Sequence, residues 1–240
     1  MSFHNRRQRA RAARRRAGTF RIMYVPPHFR QNDPEAIRAF VRASRLATLF
    51  SAGPGGPRAS HVPVSFDPEP EPLGTLHCHL ARANEHWRDL ASGVEVLVVF
   101  LGPEAYVSPS LYATKRETGK VVPTWNYVAV HARGVARVTE DASELHALVS
   151  SLTDGREAER SEPWHVDDAP DTYVANQLRG IVGVTIPITH IDAKWKMSQN
   201  RTDADMLGVI DGLRASDVPS ERATAEVMAD LLTRRREGAT

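Results

Sequence analysis

The sequence predicts an α+β fold, mainly antiparallel β: six or seven strands in a small barrel edged by helices. Three observations carry this. Short β-branched and apolar runs recur with turn residues between them, which is the spacing of hairpins and therefore of antiparallel pairing. Helical patterns do not alternate with strand patterns, which disfavours a doubly wound α/β sheet. The chain has 240 residues with the apolar and charged content of an ordinary globular protein, enough for one large domain or two small ones.

The elements follow in order. Asp33-Pro34-Glu35 places a capping acid, a proline at the first helical position and an acid in the first turn. With Ile37, Phe40 and Val41 as its apolar stripe, that helix ends near Ser44. Leu46 to Ser51 and Ser60 to Phe66 read as strands around Gly53-Pro54-Gly55-Gly56-Pro57, a hairpin with a loose loop. No Gly-Lys-Ser/Thr follows, so the loop is not a P-loop. Gly74 to Leu80 is a third strand. A short helix from Glu85 to Ala91 leads into Val94 to Leu101, a buried strand, and Ala105 to Ser108 reads as another. Residues 109–124, with Pro109, Gly119 and Pro123, read as a loop.

Tyr127 to Val138 alternates. Val128, Val130, Ala132, Ala136 and Val138 share one face, and Tyr127, His131, Arg133 and Arg137 the other. Thr139 and Asp141 open a helix carrying Leu145, Leu148, Val149 and Leu152. A polar connection spans 154–170, and Thr172 to Arg179 reads as a short helix. Ile181 to Trp195 is a long strand. Thr202 with Asp205 resembles a capping box before Met206, Leu207, Ile210 and Leu213. Ser220 is expected to cap a last helix, Glu221 to Arg236.

Charge divides the chain. Residues 1–22 hold eight arginines and no acid, and the remainder holds 23 basic against 29 acidic residues. The chain is therefore an acidic body with a basic tail at 1–22, which is expected to be disordered. The tail lacks the apolar stretch of a secretory signal. Two readings of it stand: a loose contact to nucleic-acid phosphates, or an upstream start codon with Met23 as the physiological start, which is favoured. No run is long and apolar enough for a membrane span. With Cys78 as the sole cysteine, a reducing, cytoplasmic location is expected.

Three runs carry chemistry. Lys194-Trp195-Lys196-Met197-Ser198-Gln199-Asn200-Arg201 lies where a strand pattern gives way to a helix. Its two lysines share one strand face, and four polar side chains follow. It suits either a planar anionic small molecule or a solvated strand end. Leu80-Ala81-Arg82-Ala83-Asn84-Glu85-His86-Trp87 joins a strand to a helix, with Asn84 as the cap and Arg82 placed for a bidentate phosphate bond. Glu85 competes for the same helix end. In Val121 through Tyr127, Trp125 and Tyr127 flank Asn126; an aromatic stacks on flat rings and an amide reads ring carbonyls or nitrogens. Ordinary core aromatics fit that run equally well. His77 and His79 share a strand face, but spacing ties no third ligand to them, so no metal site is expected. No Gly-x-Ser-x-Gly elbow and no helix-turn-helix is present.

These runs resemble the PaiB family. The matching segments are Met23 to Phe29, Ser60 to Pro63, His79 to Asn84, Gly102 to Pro109, Val121 to His131, Pro163 to Pro170 and Lys194 to Arg201, in family order across Met23 to Leu213. The resemblance implies an FMN-binding split barrel, related to pyridoxamine-phosphate oxidases and flanked by helices, over 23–214, with a C-terminal helix and tail at 215–240. It implies a homodimer holding FMN at the subunit interface. The family is described as a negative transcriptional regulator of sporulation and degradative-enzyme genes.

By that analogy the strand Ser60, His61, Val62 and Pro63 borders the flavin ring with its backbone. Arg82 and Asn84 hold the phosphate, and His79 and Ala83 are further cofactor-binding positions. Trp125, Asn126, Lys196, Gln199 and Asn200 complete the cofactor contacts. No catalytic residue is assigned. The alternative is an FMN-dependent oxidoreductase of the split-barrel flavin reductase or oxidase type, and a haem-handling relative is a weaker third. An acidic body without a reading helix opposes DNA, so any DNA contact is expected to run through the tail or a partner.

Overall fold

The computed structural model describes residues 23–53 and 55–238; the basic tail and its two readings lie outside them. Eight strands form one antiparallel sheet in the order β2-β1-β5-β6-β8-β4-β3, with β7 paired to β8. The strands are β1 (Ala47–Gly53), β2 (Gly56–Val62), β3 (Ser65–Asp67), β4 (Thr75–Ala81), β5 (Glu95–Val107), β6 (Thr124–Val135), β7 (Arg137–Thr139) and β8 (Ile181–Lys196). The helices are α1 (Pro34–Ala43), α2 (His86–Ala91), α3 (Ala113–Thr118), α4 (Ala142–Glu157), α5 (Asp171–Leu178), α6 (Asp203–Arg214) and α7 (Pro219–Glu237). Among the described residues no helix is long and apolar enough to cross a membrane.

Local chemistry accounts for the helix ends. The Asp33 carboxylate accepts from Glu35 N, Asp141 from Ser143 N and Glu144 N, and the Thr202 hydroxyl from Asp205 N, each satisfying first-turn amides. The last helix differs from expectation. α7 starts at Pro219 after Val218 without a side-chain cap. Ser220 instead accepts from Glu104 N at 2.9 Å and donates to Glu104 O at 2.8 Å, tying the helix to β5.

The strand boundaries are corrected in four places. Val94–Leu101 and Ala105–Ser108 are one strand, β5, whose register shifts between Leu101 and Glu104. The Gly102-Pro103 pair that reads as a break is an irregularity inside the ladder. A Cβ on Gly102 would lie 2.7 Å from the Phe40 ring. Ser60–Phe66 is two strands, because Pro63 interrupts the run: β2 pairs β1 and β3 pairs β4. The β1–β2 loop is tight, since Gly53 pairs Gly56 and Gly56 adopts φ 96. Tyr127–Val138 divides into β6 and β7. The 109–124 segment is no simple loop: it holds a 3-10 turn at Pro109–Leu111 and α3, which stops at left-handed Gly119.

The core fills the barrel with Leu49, Leu76, Val98, Phe100, Val130, Val184 and Ile186, joined by Met206, Ile210 and Met228 from α6 and α7. β8 organises it. Its first part pairs β4 and β7, and its second pairs β6. The handover falls at a register shift between Arg133 and Gly134 of β6, where Gly134 pairs Ile188. A Cβ on Gly134 would sit 2.1 Å from Pro187 O and 2.9 Å from Ile186 Cγ2, so only glycine permits the crossing. Gly134→Ala is expected to cost at least about 1–3 kcal/mol through backbone displacement. Urea unfolding checks it; an unchanged midpoint would contradict this packing.

Candidate functional site

The residues expected to touch a cofactor fall in two groups. The first lies on β2 and the β4–α2 turn. Ser60 and Val62 are buried, and His61 and Pro63 are exposed. β2 ends the strand order, so it has a partner strand on one side only. Thr48 Oγ1 lies 3.1 Å from His61 Nδ1. His79 pairs opposite Gly183; its Nδ1 is buried without a partner, and burial pushes its pKa down.

Arg82 is committed within the chain. Its Nε donates to Arg179 O at 2.8 Å, Nη2 to Ile181 O at 3.2 Å, and Nη1 to Glu140. Of these three partners only Glu140, which is half exposed, is a side chain. Ala83 and Asn84 are at the exposed tip of the turn, which closes through Asn84 N to Ala81 O at 2.8 Å.

His86, to which the sequence analysis assigned no role, organises this corner. It is 1% exposed. Its Nδ1 lies 2.8 Å from Ser60 Oγ and its Nε2 2.9 Å from Ser51 Oγ. Asn84 Nδ2 donates to Ser60 Oγ at 3.0 Å, and Asn84 Oδ1 accepts from His86 N at 3.1 Å. Either neutral tautomer satisfies all four: Ser60 accepts from Asn84 and donates to Nδ1 while Nε2–H donates to Ser51, or Ser60 accepts from both Asn84 and Nδ1–H while Ser51 donates to Nε2. That imidazole is neutral, and burial holds its pKa below the usual histidine value. The only sequence cue was the polar pair Asn84 and His86 at a helix start; closure against β1 and β2 is a tertiary event.

The second group lies at the ends of β6 and β8. Trp125 is 52% exposed and meets Tyr106 edge to face, centroids 5.9 Å apart. Asn126 is fully buried; its Nδ2 donates to Met228 Sδ at 3.3 Å and its Oδ1 accepts from Ser198 Oγ at 3.1 Å. Lys196 Nζ donates to Thr124 Oγ1 and Trp125 O. Burial, then neighbouring Lys194, lowers its pKa. Lys194 is buried, donates to Tyr24 O at 3.1 Å and lies over the Tyr127 ring. The Gln199 amide is folded back on Met197 N and Trp195 O, while Asn200 is exposed. Sequence reasoning missed the support from α7: Arg235 donates to Gln199 O at 3.1 Å and Arg201 O at 3.2 Å.

The two groups are far apart in one chain. Arg82 stands beside Ile181, the first residue of β8, and Lys196 is the last. Ser60 aligns through Leu49 and Val98 with Ala132, and Trp125 lies seven residues further along β6, ~23 Å at strand spacing. Among the described residues no group of three or more His, Cys, Asp or Glu is placed to hold a metal ion.

Comparison with known proteins fits this architecture. Superposition on the FAD and heme binding protein from Mycobacterium smegmatis gives a TM-score of 0.54 at 15% identity, over 74% of this chain and 78% of that one. The flavocytochrome Anf3 from Azotobacter vinelandii gives 0.52 at 17% identity, over 75% and 73%. The fold is a split barrel flanked by helices. Residues 23–190 match the family model described as "Putative FMN-binding domain". Over 210 residues the chain is 34% identical to "Protease synthase and sporulation protein PAI 2" of Bacillus subtilis (strain 168), covering 88% of this chain and 98% of that protein. An uncharacterized protein of Aspergillus fumigatus is 32% identical, over 79% of this chain and 90% of its own. The chain belongs to the PaiB family.

The His86 network sets a pH dependence. Its folded pKa lies below the unfolded value of about 6.5, so the unfolded chain takes up the proton first. The neutral form's contribution is complete above that value and is lost as pH falls towards the folded pKa. His86→Asn is expected to lose about 1–3 kcal/mol at pH 8 and to flatten the decline between pH 7 and 5. Denaturant midpoints across that range check it; a parallel pH profile would contradict it.

Proposed function

We propose that this PaiB-family chain is a cytoplasmic flavoprotein that binds FMN in a seam between two copies of itself and serves regulation. The observation that supports the shared site is the separation of the two groups. Ser60 to Pro63, His79 and Arg82 to Asn84 of one copy, with Trp125, Asn126, Lys196, Gln199 and Asn200 of the other, enclose one ligand only across such a seam. An exposed apolar face supports the second copy: Phe50 and Leu101 are exposed beside half-buried Leu97 and Val99 on adjacent strands.

The residues fit a flavin. β2 offers a backbone edge unpaired on one side within the chain, suited to ring carbonyls and nitrogens. Trp125 offers an exposed aromatic ring. Arg82 neutralises the phosphate on exchanging Glu140 for it. FMN, when bound, supplies redox chemistry.

The regulatory role draws on the name of the B. subtilis relative, which links that protein to protease synthesis and sporulation, and takes the form of negative transcriptional control. Direct DNA contact through α7 has little support, because Arg234 pairs Asp230 while Arg235 and Arg236 pair Asp203. Any DNA contact therefore runs through residues 1–22 or a partner. A second reading, an FMN-dependent oxidoreductase, is favoured by one feature: a cationic cavity walled by Asn126 and Lys196 leaves room for a small second ligand.

The purified protein is expected to sediment as a dimer and to bind one FMN per chain, read by flavin absorbance. A monomer without flavin affinity would overturn the proposal. Arg82→Gln is expected to weaken FMN about tenfold, as for one charge-assisted bond, and riboflavin little. Equal losses would make Arg82 structural. Any retention of the purified chain on DNA is expected to be lost on deleting residues 1–22, and tight, salt-insensitive retention after the deletion would contradict the tail reading. Bleaching of bound FMN by a reduced nicotinamide would select the oxidoreductase reading.

A further inference from the structure

A cavity of about 190 Å³ opens between the ends of β6 and β8 and the segment around Tyr112. Tyr112, Thr124, Asn126, Lys196, Ser198 and Arg201 supply its polar wall. Its charge is uncompensated. No carboxylate lines it, and neither cation forms an ion pair among the described residues. The nearby acids are engaged elsewhere: Asp203 holds Arg235 and Arg236, and Asp205 accepts from Thr114 N and Oγ1. Lys196 keeps one of its three N–H groups beyond Thr124 and Trp125. The Arg201 guanidinium stacks over the Tyr112 ring at 4.9 Å and makes no side-chain hydrogen bond among the described residues. Buried Lys194 adds to the positive potential.

Two further features are independent of charge. Tyr112 is 1% exposed, yet its hydroxyl is buried with no hydrogen-bond partner. Such a group is costly unless something satisfies it. Ser198 is buried at φ 62, the one non-glycine residue at positive φ among those described. Strain of this kind gathers at ligand clamps.

We propose that this cavity binds a small oxyanion, a phosphate or carboxylate carried by a ligand other than the flavin. Arg201 offers a planar donor fork, Lys196 a third N–H and Tyr112 an O–H, and two positive charges match a phosphate dianion. The cavity falls below the ~300–1,000 Å³ of pockets for drug-sized molecules, so it takes a single acidic group or a short acid. This deepens the flavin reading and rests on it only in setting the acid beside Trp125 and Asn126, where a substrate or effector meets the ring.

The test uses the full chain, without flavin and saturated with FMN, titrated with inorganic phosphate and with acetate at fixed ionic strength. Calorimetry and thermal unfolding give the readout. Saturable binding to the FMN-loaded protein is expected, about tenfold weaker in Arg201→Gln and in Tyr112→Phe. Tyr112→Phe is also expected to raise the melting temperature without anion, because it deletes the orphan hydroxyl. A tyrosine serving packing alone would not give these opposite signs. The proposal is overturned by binding of neither anion, by unchanged binding in both variants, or by phosphate competing with FMN but not with riboflavin. That last result would assign the cavity to the flavin's own phosphate. Phosphate binding with the expected variant pattern in a protein that takes no FMN would sink the flavin reading and leave the oxyanion site standing.

Discussion

The crossing of β8 over β6 and β4 is the constraint on which the rest depends. One continuous strand, Ile181–Lys196, ladders with β4 and β7 in its first half and with β6 in its second. Where the pairing with β4 stops, the backbones of β6 and β8 come unusually close, with Gly134 against Pro187. The register shift beside it sets the pairing that β7 then continues along the same strand. The same strand then fixes where chemistry sits. Its first residue anchors Arg82 through Ile181 O, and its last is Lys196. Two corners rich in polar side chains are thereby anchored to one strand, and held apart.

The supports of the two corners differ in kind. The corner at Ser60 is built from neutral, mutually satisfied hydrogen bonds among Ser51, Ser60, Asn84 and His86. The corner at Lys196 is positively charged and not fully satisfied. α7 props it through Met228 on Asn126 and through Arg235 on the backbone of Gln199 and Arg201. This support lies beyond residue 190, where the family-model match ends, so the corner depends on helices outside the matched segment.

Much of the fold was legible because its signals are local. Capping side chains at Asp33, Asp141 and Thr202 marked helix starts, and alternation from Val128 to Ala136 marked a core strand. What was hidden depended on partners distant in sequence. Gly102-Pro103 looks like punctuation, yet the ladder to β6 carries β5 through it. Ser220 looks like a cap, yet Glu104 claims its hydroxyl. At the site, the 194–201 run and the Arg82 turn stood out because charge and amides cluster there. His86 and Tyr112 did not: a histidine at a helix start or a tyrosine between two short helical turns becomes informative only once burial shows which of its polar atoms are paired. Nor can sequence spacing show that Arg82 and Lys196 stand at opposite ends of one strand.

That separation makes the shared seam the central claim, and mixing two defective chains tests it most directly. Arg82→Gln impairs one corner and Lys196→Gln the other, so each variant alone carries two damaged seams per dimer. After unfolding and refolding as an equal mixture, about one seam in four should regain both intact corners by isologous pairing, and FMN bound at saturation of that fraction should show wild-type affinity. Recovery of no high-affinity sites would contradict a flavin site built from two copies.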